Sequence, residues 1–110
     1  MIENTIGEIE AKIHSSSSIS DQRKQELLQL LGTLKAEVGT LARTHDEQAS
    51  SIANFTQASA HEATREQQNQ ESLELSLKGL RSSVDGFEQS HPKLVQVVNG
   101  ISKTLSDLGI

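Results

Sequence analysis

Cysteine, tryptophan and tyrosine are absent from this chain of 110 residues, which holds one proline and two phenylalanines. Without cysteine there are neither disulfides nor thiolate metal ligands, a usage that fits a cytoplasmic protein. Phe55 and Phe87 are the only aromatic residues, so any core is built from aliphatic side chains. No apolar run approaches the roughly 20 residues that span a bilayer. The opening segment MIENTIGEIE carries acids where a secretory signal carries bases. Basic residues do not cluster beyond the Arg23-Lys24 pair, and 10 basic against 15 acidic residues give a net charge of −5. Binding to phosphate backbones needs grouped Lys and Arg to displace counterions. Neither nucleic acid nor membrane is an expected partner.

What remains is an aliphatic, mildly polar chain, 34% hydrophobic with a mean hydropathy of −0.44. Its length suits one domain over residues 1–110, with a thin core. Small chains of this kind often gain stability by associating with copies of themselves, so a homo-oligomer is expected.

The hydrophobic spacing is helical throughout. Ile2, Ile6, Ile9 and Ile13 recur at steps of four, three and four, predicting a helix over 2–14. SSSSIS, residues 15–20, reads as a loop, because small hydroxyl side chains compete with helical hydrogen bonding. Ser18 or Ser20 can cap the following helix, whose positive end suits Asp21. Leu27, Leu31, Leu34, Val38 and Leu41 continue the four-three rhythm and predict a helix over 20–43, with Leu28 and Leu30 widening its apolar face. Keeping that register would bury His45 and Gln48. A shift of four residues instead aligns Ala49, Ile52, Thr56, Ser59 and Ala63, then Leu73, Leu77, Leu80, Val84 and Phe87. Such an offset marks a stutter or a helix boundary. Thr44-His45-Asp46-Glu47 has the form of a capping box, Thr44 and Glu47 each satisfying a free backbone N–H, which favours a boundary.

The next helix is expected over 45–89. Within it, SAHEATREQQNQES, residues 59–72, has no apolar side chain larger than alanine and predicts an exposed helical stretch or a turn near 67–70, where Asn69 can cap a new helix. After Phe87, His91 precedes the one proline, Pro92, so the helix is expected to end by Ser90. A residue before proline is pushed from helical dihedrals, and proline suits the first helical position. His91-Pro92 is therefore punctuation, with a last helix over 92–108 carrying Leu94, Val98, Ile101, Leu105 and Leu108. Gly32 and Gly39, and likewise Gly79 and Gly86, lie seven apart on one helix face. They are either tolerated surface glycines or places where another helix comes close.

No catalytic constellation accompanies these helices. Serines lie in polar runs without a nucleophile elbow, and glycines are too scattered to cradle a phosphate. His61-Glu62 begins like a zinc-protease helix, but the residue four positions on is Arg65, whose charge repels a metal. His14, His45, His61 and His91 fall on or between different helices. No metal, cofactor or enzymatic activity is expected. Glu62 and Arg65 are spaced for an i,i+3 ion pair. His61, Glu62, Arg65, Gln67, Gln68 and Asn69 form either a solvated helix face or a polar partner-docking surface.

The segment SLELSLKGLRSSVDGFEQSHPKLVQVVNGISKTLSDLGI resembles the C-terminal half of a bacterial family, domain of unknown function 4404. Its members join an apolar helix ending in Phe-Glu to a His-Pro turn and a final helix closing on Leu-Gly-Ile. The matching residues are Phe87, Glu88, His91, Pro92, Leu108, Gly109 and Ile110. A looser likeness covers a short helix, a polar loop and a Leu-rich helix from Gln25, while the centre is longer than in usual members. The resemblance implies an all-helical bacterial protein and supplies no catalytic residues.

The expectation is an all-α protein, an antiparallel helical bundle or set of coiled-coil hairpins with about four helices. Leu31, Leu34, Val38, Leu41, Leu77, Leu80, Val84, Phe87, Val98, Ile101 and Leu105 form its core or its seams for self-association. The alternative is an adaptor docking a larger coiled-coil protein, such as a chromosome-segregation factor, through the polar 59–72 surface.

Overall fold

Five helices, α1 (Ile2–Ser15), α2 (Asp21–Leu41), α3 (Asp46–Thr64), α4 (Gln70–Ser82) and α5 (Pro92–Leu108), make up the computed structural model, which describes residues 2–108. Gly109 and Ile110 of the Leu-Gly-Ile ending lie outside the described residues. The expected stripes are the buried faces. Ile2, Ile6, Ile9 and Ile13 are all buried on α1, and Leu27, Leu31, Leu34, Val38 and Leu41 on α2. Side chains at three- and four-residue steps share a helix face, so each stripe closes against its neighbours in one core.

Side-chain contacts set the directions. Glu10 pairs with Lys35 at 2.7 Å and the His14 carbonyl accepts from Lys24 Nζ at 3.1 Å, so α1 and α2 run antiparallel. Arg23 reaches Asp107 at 3.2 Å while Leu30 lies against Gly100, which makes α2 and α5 antiparallel too. α1 and α3 run parallel: Glu8 accepts from Gln57 at 3.4 Å, and His61 Nδ1 from Lys12 Nζ at 3.0 Å, both 49 residues on. α3 and α4 form a hairpin, and α5 packs against α2, α3 and α4. The radius of gyration, 12.9 Å, is close to the ~13 Å of a compact domain of this length.

The long element expected over 45–89 is three pieces. α3 stops at Thr64, residues 65–69 form a break, and α4 starts at Gln70, so there are five helices rather than about four. Asn69 is the cap, its Oδ1 accepting from the Ser72 N–H at 2.9 Å. α4 then ends at Ser82, and residues 83–90 are mostly turns. The N–H groups of Val84, Asp85 and Phe87 bond three residues back, a tighter winding than the α-helix. Gly86, at φ +93° within the turns after α4, adopts a conformation that L side chains avoid. Apolar spacing carried the prediction too far: Val84 is still buried, on a backbone that has stopped being helical.

At the other offset, the boundary is real but the capping box is not. α3 begins after His45, which makes no side-chain cap bond. Thr44 belongs to the turn that closes α2: its N–H donates to Leu41 O at 3.1 Å, and its hydroxyl turns back to the same carbonyl and to His45 Nδ1 at 2.7 Å. Oriented that way, Thr44 does not reach forward to Glu47. Ser20 does cap α2, accepting from the Arg23 N–H at 3.3 Å, and α5 starts at Pro92 as expected.

Candidate functional site

On α4 the residues Leu73, Leu77 and Leu80 face inward and are at most 2% exposed. Leu75 stands two positions from Leu73 and Leu77, about 200° around a helix of 3.6 residues per turn. It therefore points away from the core and is 64% exposed. Phe55 on α3 is 40% exposed; its ring lies over the backbone of Gly79, one turn beyond Leu75. These two are the exposed large apolar side chains among the described residues, and both flank the outer face of α4. The other side of that face is charged, with Glu71, Glu74, Lys78 and Arg81 all exposed around a shallow depression. An apolar centre with a polar rim is the composition of a protein-docking surface.

Of the glycine pairs, Gly79 admits a close neighbour. Gly32 faces open space, and Gly39 has only the Glu3 carboxylate nearby. Gly86 serves the turn.

The residues read as either a solvated helix face or a docking surface have bonds inside the chain. Glu62 and Arg65 form their ion pair at 2.9 Å, and His61 accepts from Lys12. Gln68 Nε2 donates to the Ala63 carbonyl at 2.7 Å and to that of Leu108 at 3.4 Å, closing the end of α3 and tying it to α5. Asn69 caps α4. Only Gln67 makes no such bond among the described residues, so most of this segment has partners inside the chain.

The seam residues also answer to the chain itself. Leu31, Leu34, Val38, Leu41, Leu77, Leu80, Val84, Val98, Ile101 and Leu105 are at most 3% exposed, and Phe87 is half-buried against them. They fill one interior within the single chain.

Sequence reasoning separated two histidines that the fold brings together. His45, before α3, and His91, before α5, flank Phe87 with ring centroids 5.5 Å from it and 6.3 Å from each other, all near perpendicular. Antiparallel α3 and α4 return the chain to its starting end, so hairpin topology was the cue. Each imidazole has Nδ1 at a neighbouring hydroxyl: Thr44 for His45, and Ser90 for His91 at 2.9 Å. The arrangement is edge-to-face packing that closes this end of the bundle. Among the described residues no three His, Asp or Glu side chains are grouped to hold a metal, and no helix is long and apolar enough to cross a membrane.

A family model described as a domain of unknown function, DUF4404, matches residues 27–110. The chain belongs to that family. The matched range takes in α3, the 65–69 break, α4 and α5. It contains the Phe55–Leu75 face and the three-ring cluster, and leaves out α1, the serine loop and the first turns of α2. Searches of curated proteins and of solved structures found no significant match.

Proposed function

We propose that this DUF4404 protein is a non-catalytic, cytoplasmic interaction module that self-associates through the outer face of the α3–α4 hairpin. The observation that carries the reading is the shared position of Phe55 and Leu75. Two large apolar side chains held in water on one face, beside a charged rim, gain by being covered. The core seams are already filled within one chain, which supports a contact on the outer surface. Sedimentation velocity over a wide concentration range tests the proposal: reversible self-association is expected, and a monomer at every concentration overturns it.

A further inference from the structure

We propose that α4 docks antiparallel on α4 of a second copy, about a two-fold axis passing near Ser76. This deepens the self-association reading and rests on it. The exposed charges of α4 are two acids in its first half, Glu71 and Glu74, and two bases in its second, Lys78 and Arg81. Glu71 and Arg81 are centred on position 76, and so are Glu74 and Lys78. A two-fold axis across the helix at that point exchanges the members of each pair. Glu71 then stands at the level of Arg81 of the second copy, and Glu74 at the level of its Lys78. Parallel pairing would instead set acid on acid and base on base.

The pattern is its own complement, which is the requirement of an isologous contact and points to a copy rather than to an unrelated chain. None of the four charges has an ion-pair or side-chain hydrogen-bond partner within the described chain. Leu75 sits one residue from the axis, so the two copies bring these side chains within about 3 Å of the same level along the helix. That places the most exposed large apolar group at the centre, with the Phe55 ring beside it over Gly79. α4 has 13 residues and is about 20 Å long, so one such face gives an interface at the small end of the specific range. The dimer is therefore weak and concentration-dependent, and with an ionic rim it loosens as salt rises.

Sedimentation velocity on the full chain at low salt tests the geometry, with thermal melts followed by circular dichroism to confirm folding. Glu71→Arg alone and Arg81→Glu alone are each expected to weaken dimerisation at least tenfold, since each sets like charges face to face. The double variant Glu71→Arg/Arg81→Glu restores the complement and is expected to regain wild-type association. Leu75→Ser, an exposed change that leaves the core untouched, is expected to abolish the dimer. Wild-type protein that dimerises while the single reversals and Leu75→Ser dimerise equally well overturns the α4 interface and leaves self-association standing. Loss in the single variants without recovery in the double overturns the antiparallel register. Wild-type protein that stays monomeric overturns both proposals.

Discussion

The Phe55 ring occupies the space that a side chain at Gly79 would fill. A Cβ at Gly79 would lie 2.6 Å from Cδ1 of that ring, closer than real Cβ contacts come. Gly79 therefore forgoes about 1 kcal/mol of helix propensity relative to alanine so that α3 can lay an aromatic ring on α4. The expected outcome of a double-mutant cycle follows. In a Phe55→Ala background, Gly79→Ala stabilises by about 1 kcal/mol. In wild type it gains less or destabilises, because the ring must swing aside, and the difference appears as a coupling on the order of 0.5 kcal/mol or more. Denaturant titration of the four proteins reads it.

Leu34, at 0% exposure, lies where the stripe of α2 meets the core. Leu34→Ala is expected to cost about 2–5 kcal/mol. Because that core belongs to a single chain, the loss has the same size in dilute and concentrated protein. A loss that grew with concentration would mean that copies share the seam.

Asn69 and Thr44 look alike in sequence, as polar residues ahead of a helix, but only Asn69 caps. Asn69→Ala is expected to lower stability by about 1 kcal/mol. Thr44→Ala gives up two bonds at an exposed turn and is expected to cost clearly less. Urea melts of the two variants side by side decide between them.

Ser59 on α3 and Ser102 on α5 are buried, and the hydroxyl of each has no hydrogen-bond partner. An unsatisfied buried polar group carries its desolvation cost without return, about 1–3 kcal/mol. Ser59→Ala and Ser102→Ala are each expected to raise the melting temperature, as measured by calorimetry.

Wherever aliphatic residues line up at four-three steps on a continuous helix, the fold is legible in the spacing of the side chains alone. The stripes of α1 and α2, and that of α5 as far as Leu105, lie inside as read, and α5 starts at its proline. Legibility fails at helix ends, where backbone geometry outranks side-chain rhythm. Val84 keeps the apolar beat on a chain already winding in turns. Thr44 has the capping-box letters, but the last turn of α2 has already claimed it. Ile19, buried at 6% exposure, hides in a serine loop with no periodicity to expose it. At the candidate site, Leu75 breaks the pattern of its helix, a visible sign on its own. That Phe55 shares its face depends on how α3 meets α4, which spacing along the chain does not encode. The symmetric charges around position 76 are plain in the sequence, but they acquire meaning only once α4 is known to begin and end around them.

Residues that define the family and residues that complete the folding unit do not coincide. Ile6 and Ile13, each with no exposed surface, sit on α1, ahead of the matched region, and close the interior over α2 and α3. A cassette cloned to the family's limits would thus have its roof removed: an oily trough opened along two helices, prone to clump. The upstream isoleucines cover the apolar faces of α2 and α3, so a truncation intended to isolate the recognisable part would isolate an unfinished one.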